Sequence, residues 1–247
     1  MNLIERIEKD PQQFVADLEK YFIDTPAKCP YGLPVLAVYR QARFDRMPEP
    51  IMGLLLSAGY RRNGNCLYTM RCRDCSACVP IRLEPESFEP NRNQRRTIKQ
   101  NLDLTIETGP LAMTDEKLSL MEVFLAGRYP GRGTTAADYY GGFFRNSFGC
   151  SFECRYRLAD RLVGVTIVDA GSNWLNAVYF FFDPAMNRRS LGTFNILTLV
   201  DFCRLRGLDL LYLGYWIENV RAMQYKAAFN PHYLLTDGAW TRGPRAA

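Results

Sequence analysis

Between Ser151 and Phe182 the sequence lays down successive strand-length segments with almost no chain between them, and this run limits the fold more than any other feature. Ser151 to Leu158, Leu162 to Asp169 and Leu175 to Phe182 are rich in β-branched and aromatic residues, the composition of a pleated, half-buried surface. Asp160-Arg161 and Gly171-Ser172-Asn173 join them. Such connections are too short for a crossover, so the segments must form an antiparallel meander. Phe152, Cys154, Tyr156 and Leu158 alternate along the first segment, which turns one apolar face inward. Asp183-Pro184 ends the third, a polar loop Asn187-Arg188-Arg189-Ser190 follows, and Leu191 to Leu205 reads as a helix stopped by Gly207. A strand at Leu210 to Leu213, a helix from about Glu218 to Phe229 and a strand near Tyr233 to Leu235 complete the unit.

The preceding chain follows a different plan. Asp10 caps and Pro11 opens a first helix whose Phe14, Val15, Leu18, Tyr21 and Phe22 form an apolar stripe. A second helix is expected from about Glu49 to Ser57, ending at Gly59. Asn63-Gly64 is a turn signal between strand-like residues, and Val79 to Leu83 reads as a short strand. Near Leu104 the pattern changes. Thr114 caps a helix with Asp115 and Glu116 in its first turn and Leu118, Met121 and Leu125 on its buried face. Residues 131–142, rich in glycine and threonine, read as a mobile loop. The expected domains are therefore 1–103, an α/β module containing the clustered cysteines, and 104–247, an α+β unit with a mixed, largely antiparallel sheet flanked by helices.

Cys72-x-x-Cys75-x-x-Cys78 puts three thiols at spacings that converge on one metal or cluster, and Cys29, next to the stiffening Pro30, is the best fourth ligand. Reduced structural thiols are the competing reading of the same residues. Cys66, Cys150, Cys154 and Cys203 read as packing residues. The chain shows no secretory signal and is long enough to build its own core, so a reducing cytoplasm is expected and a disulfide framework is not. No stretch approaches the roughly 18 apolar residues that span a bilayer, so no membrane partner is expected.

Arg92, Arg95, Arg96 and Lys99 fall at i, i+3, i+4 and i+7 if Asn91 to Asn101 is helical. Like charges on one stripe repel unless an anion answers them, and the natural anion is a nucleic-acid backbone. The net charge of +5 is modest. His232 is the only histidine, and it lies in a loop-like Asn230-Pro231-His232-Tyr233 with no nucleophile motif beside it, which disfavours a serine or cysteine triad.

The element order from Ser151 onward resembles the acyl-CoA N-acyltransferase (GNAT) core. Arg189-x-x-Gly192 lies where such enzymes hold a pyrophosphate at a helix N-terminus, although Phe194 replaces the small residue of that loop. A more extensive resemblance rests on several segments together. They are Cys29-Pro30-Tyr31, Gly59-Tyr60-Arg61-Arg62-Asn63-Gly64, Cys72-x-x-Cys75-x-x-Cys78-Val79-Pro80-Ile81-Arg82, and Phe88 with Gln94-Arg95-Arg96. They continue as Val178 to Pro184, Arg189 to Thr193, Tyr212 to Ile217 and Met223-x-Tyr225-Lys226. Jointly these resemble the bacterial aminoacyl-tRNA-protein transferases, specifically the aspartate/glutamate leucyltransferases, over about residues 20–238. Tyr129 departs from the Arg-His-Pro that related sequences carry at Arg128-Tyr129-Pro130.

That resemblance implies transfer of an amino acid from its tRNA ester to the N-terminal amine of a protein beginning with Asp or Glu. An activated ester needs alignment and amine deprotonation, not a covalent intermediate, and no cofactor is required for the transfer. The implied roles are Arg61, Arg62 and Arg82 for the acidic acceptor side chain. Arg92, Arg95, Arg96, Lys99 and Arg189 would hold tRNA, with Asp183, Tyr215 and Lys226 orienting the amine and ester. Cys29, Cys72, Cys75 and Cys78 would carry zinc or an iron-sulfur cluster. Leucine is the expected donor. Arginine as donor, an acyl-CoA-dependent N-acetyltransferase and a noncatalytic metal-bearing nucleic-acid binder are the alternatives.

Overall fold

The computed structural model describes Glu5, Ile7 and residues 9–131 and 133–244. Helix α1 (Pro11–Leu18) is capped by the Asp10 carboxylate, which accepts from the Gln13 amide at 2.9 Å. Its apolar stripe ends sooner than expected. The chain tightens into a 3-10 turn at Glu19–Tyr21, which leaves Tyr21 60% exposed while Phe22 is buried.

A four-stranded antiparallel sheet follows, with strand order β1-β2-β4-β3. It comprises β1 (Ile23–Lys28), β2 (Leu36–Arg43), β3 (Arg61–Asn63) and β4 (Cys66–Met70). Helix α2 (Glu49–Ser57), bounded where the sequence placed it, packs Met52, Leu55 and Leu56 into the core under this sheet with Phe22, Tyr60 and Leu67.

The second sheet has eight strands in the order β12-β11-β5-β10-β9-β8-β7-β6. The expected meander is its centre: β7 (Ser151–Leu158), β8 (Arg161–Ala170) and β9 (Trp174–Phe182) pair antiparallel in succession. At one edge lies β6 (Leu104–Pro110), antiparallel to β7. On the other side β10 (Leu210–Trp216) joins β9 in parallel, followed by β5 (Val79–Leu83), β11 (His232–Thr236) and β12 (Ala239–Arg242). The pairings other than β9 with β10 are antiparallel.

The sheets do not divide the chain at residue 103, because β5 sits between β10 and β11 of the large sheet. Trp174 and Tyr212 of the large sheet also bury themselves in the α2 core. The first hundred residues are thus stitched into the second half, through β5 and the shared α2 cluster among other contacts.

Helices cover both faces. The sixteen-residue α6 (Leu191–Arg206) and Ile98 of α3 (Arg92–Gln100) pack on one, with Val168, Leu175 and Leu211 beneath them. α4 (Asp115–Arg128) and α5 (Ala136–Phe143) cover the other, over Val165, Ile167 and Phe181. Helix α5 replaces part of the loop expected over 131–142. The Thr135 hydroxyl accepts from the Asp138 amide at 3.1 Å, and Tyr139 and Tyr140 become buried on its inner face. The helix expected from Glu218 to Phe229 is shorter: α7 (Arg221–Gln224) passes into a 3-10 turn at Tyr225–Ala228.

Candidate active site

Strands β9 and β10 part after the pair Tyr212 and Asn176, although β9 runs on to Phe182 and β10 to Trp216. β10 bulges there: its register against β5 shifts between Tyr212 and Tyr215, with Gly214 at φ 81°. A residue with a Cβ is strained in that conformation, and the bulge lets two residues three apart face the same side. Tyr212 and Tyr215 do so, with the Arg61 guanidinium 5.8 and 5.4 Å from their ring centres.

The bulge presents carbonyl oxygens to two buried cations. Arg61 donates to Gly214 O at 3.0 Å, and Lys226 Nζ donates to Tyr215 O at 2.8 Å. Among the described residues no carboxylate pairs with Lys226. Burial first, and then the Arg61 charge, lower its ammonium from 10.5 to about 7. A large fraction is therefore neutral near physiological pH and able to accept a proton. Burial pushes the Tyr215 phenol up to about 12, against the opposing pull of Arg61. Of the three residues expected to orient the amine and ester, the fold brings two together: Lys226 Nζ reaches the backbone oxygen of Tyr215.

Asp183 is placed differently. Its carboxylate pairs with Arg161 and accepts from the Ala185 amide at 2.8 Å, capping the 3-10 turn Pro184–Arg189. It ends the strand and starts the turn. The hydroxyl of Tyr225, which the sequence placed in a motif without a role, stands at the first turn of α6, 3.9 Å from where a Cβ on Gly192 would lie. Only tertiary structure could have singled it out.

The three arginines expected to meet an acidic acceptor also separate. Arg62 is wholly buried and grips Asp169 through two bonds of 2.8 and 2.9 Å, while Asn176 and Ser151 donate to the same carboxylate. Arg61 is committed to the backbone oxygens of Leu56, Tyr60 and Gly214. Arg82 is the least committed. It lies 4.4 Å over Trp240, Glu84 is 3.9 Å away, and among the described residues its buried Nε has no partner.

Helix α3 is where the sequence put it, closed by a capping box between Asn91 and Gln94. Arg92, Arg95, Arg96 and Lys99 are all exposed. Arg95 donates to Pro90 O, and among the described residues no carboxylate pairs with the four. Gln94 Nε2 donates to Ala228 O at 3.1 Å, so this basic helix rests on the turn that carries Lys226. Arg189 holds its other end, gripping Asp103 at 2.7 and 2.8 Å and Gln100 O at 3.0 Å. Phe194, which stands where a pyrophosphate loop wants a small residue, is buried in the core beneath α6.

Cys29, Cys72 and Cys75 all raise the thiol of Cys78, which burial pushes up to about 12, so the four share one neighbourhood beside Tyr68 and Tyr215. Cys72 Sγ accepts from the Val38 amide at 3.4 Å. The four-thiol donor set suits zinc or an iron-sulfur cluster. Among the described residues, no three His, Cys, Asp or Glu side chains are grouped to hold a metal.

A cavity of about 300 Å³ opens between α4 and α5, lined by Leu125, Ala126, Tyr129, Tyr139, Phe143 and Glu122 with nearby backbone. Tyr139 and Tyr129 both hydrogen-bond the Tyr179 hydroxyl on β9, with Tyr139 at 3.0 Å. A larger hollow, of about 510 Å³, lies at the opposite end of the sheet, around Phe152, Phe202 and Arg206.

Two family models match the chain: "Arginine-tRNA-protein transferase, N terminus" over residues 27–96 and "Arginine-tRNA-protein transferase, C terminus" over residues 116–236. The aspartate/glutamate leucyltransferase of Thiobacillus denitrificans is 38% identical over 190 residues, covering 76% of this chain and 79% of that protein. That of Saccharophagus degradans is 31% identical over 230 residues, covering 90% and 95%, and that of Marinobacter nauticus 34% over 231 residues, covering 89% and 94%. Among solved structures, the C-terminal domain of a putative lysylphosphatidylglycerol synthetase from Agrobacterium fabrum superposes with a TM-score of 0.46 at 13% identity, over 72% of this chain and 55% of that chain.

Proposed function

The chain belongs to the aspartate/glutamate leucyltransferases, and from that premise we propose that it moves leucine from Leu-tRNA to the N-terminal amine of proteins beginning with Asp or Glu, marking them for degradation. The observation that carries the chemistry is Lys226: a buried amine with no acidic partner among the described residues, held at the β10 bulge and lowered to about 7.

The acceptor arrives as an ammonium whose ordinary pKa is about 7.7–8.0, close enough to Lys226 for direct proton transfer. The freed amine attacks the ester carbonyl carbon. A C–N bond forms, the ester C–O bond breaks, the ammonium proton passes to Lys226, and the ribose oxygen leaves with a proton. Arg61 fixes the bulge, and its charge adds to the burial that lowers the Lys226 ammonium. Arg82, with its unpartnered Nε and distant Glu84, is the proposed contact for the acceptor carboxylate. Arg61 and Arg62 support the site from behind. The tRNA phosphates lie along Arg92, Arg96 and Lys99, above the turn that carries Lys226.

The core is read as GNAT-like. Its support is the order of β7 to β11 and the parting of β9 from β10 at the bulge. Cytoplasmic location fits eight free cysteines, and among the described residues no helix is long and apolar enough to cross a membrane. The decisive assay charges tRNA separately with labelled Leu, Arg or Phe and offers each to peptides beginning with Asp, Glu, Lys or Arg. Leucine should appear on the Asp and Glu peptides. Label confined to Lys and Arg peptides, or acetyl transfer from acetyl-CoA in its place, would refute the reading.

A further inference from the structure

The cavity between α4 and α5 has a chemical character that the transfer reaction leaves unexplained. Leu125, Tyr129, Tyr139 and Phe143 make most of its wall, with Tyr139 and Phe143 stacked at 4.3 Å. Glu122 is the one charged side chain lining it among the described residues. Its Oε1 accepts from the Ala136 amide at 2.7 Å, which fixes the carboxylate at the start of α5 and leaves Oε2 with no protein partner among the described residues.

The cavity adjoins the stretch of β9 that has left β10. Tyr129 and Tyr139 hydrogen-bond Tyr179 of β9, one wall of the strand opening. Arg128, at the end of α4, is close enough to act on the Tyr225 phenol, and Tyr225 precedes Lys226. We propose that this cavity takes the aminoacyl group of the donor, its branched aliphatic side chain against Leu125, Tyr129, Tyr139 and Phe143 and its free α-ammonium beside Glu122. The proposal rests on the transferase reading above and adds to it the origin of donor selectivity.

An aminoacyl ester brings a cation and an apolar side chain, and its carboxyl is masked. A free amino acid brings the same side chain with an additional carboxylate, which Glu122 repels. The pocket therefore selects for side-chain shape and, separately, for the ester over free leucine, which abounds in any cell that charges tRNA.

Two variants and one titration test this. Ala126 is exposed on α4 and lines the cavity, so Ala126→Leu fills it with a good helix former. Leucine transfer should fall about tenfold or more, while alanine from mischarged Ala-tRNA should hold, because pocket selection for a few methylenes is of that order. Equal loss with both donors, or no loss with either, overturns the proposal. Titration with leucinamide and with leucine, followed through the Tyr139 ring resonances, needs no tRNA. Leucinamide should bind the tighter of the two, and Glu122→Gln should erase the preference. No leucinamide binding, or a preference unchanged in Glu122→Gln, also overturns it. A wild type that binds leucinamide yet transfers nothing from any charged tRNA refutes the transferase reading alone. A wild type that prefers arginine, lost in Glu122→Gln, would place a guanidinium at Glu122 and overturn the leucyl assignment.

Discussion

Lys226 Nζ donates to the carbonyl oxygen of Tyr215 at 2.8 Å, so a buried amine is tied to the one point where β10 leaves regular register. The bulge positions the amine, and its burial, with no carboxylate partner among the described residues, lowers its ammonium to about 7. The pairing also carries a cost that can be measured.

In the unfolded chain Lys226 binds its proton up to about 10.4, whereas in the folded protein it releases it near 7. Between those limits the unfolded state holds more protons, so stability must rise with pH through this window. Denaturant titrations of the wild type and Lys226→Met from pH 7 to 9 should show the wild type gaining on the variant by about 1.4 kcal/mol per pH unit at most. Parallel stabilities would mean that Lys226 is protonated in the fold.

Arg62 and Asp169 are both fully buried, and each meets the other through two bonds. Removing one member leaves the other unpaired, a loss of about 3–5 kcal/mol. Arg62→Met and Asp169→Asn should each lower the unfolding midpoint strongly, and the KM for an Asp-initiated peptide should stay unchanged in the protein that remains folded. A raised peptide KM at undiminished stability would return Arg62 to the acceptor site.

Arg92, Arg96 and Lys99 present an exposed basic face with no carboxylate partner among the described residues. Each phosphate contact contributes about one unit to the salt slope of binding. Replacing all three with alanine should weaken tRNA binding, flatten its dependence on salt by about three units and leave thermal stability nearly unchanged. An unaltered slope would show that tRNA docks elsewhere.

Arg189 grips Asp103 through two bonds at the end of α3. If it acts by holding that helix, Asp103→Asn and Arg189→Ala should weaken tRNA binding alike. If Arg189 binds phosphate itself, Asp103→Asn should free it and tighten binding, opposite to Arg189→Ala.

The elements readable from sequence are those whose determinants are local. The meander from Ser151 to Phe182 and helix α2 follow from alternation, tight turns and a terminal glycine. The rest depended on distant partners. Nothing near Val79 to Leu83 says that the strand inserts between β10 and β11. Gly and Thr signals around residue 135 read as loop, whereas Thr135 caps a helix whose tyrosines need the sheet to bury them.

The site divides in the same way. Motif resemblance reached Tyr215 and Lys226, but the burial that lowers the Lys226 ammonium comes from the fold. Asp183 and Arg62 carried the right chemistry and are consumed by Arg161 and by Asp169, the latter 107 positions away. The thiols of Cys29, Cys72 and Cys75 all act on Cys78, and among the described residues no three ligands are grouped to hold a metal.

The most direct test of the account is the single-turnover rate of leucine transfer from Leu-tRNA to a saturating Asp-initiated peptide, followed from pH 5.5 to 9 in the wild type and in Lys226→Met. The wild-type rate should rise through an inflection near 7 and level off as Lys226 loses its proton. In Lys226→Met that inflection should vanish and the rate should fall about 10²-fold or more, the scale of one general base. An inflection of the same position and height in a folded Lys226→Met would contradict the assignment of Lys226 as the base.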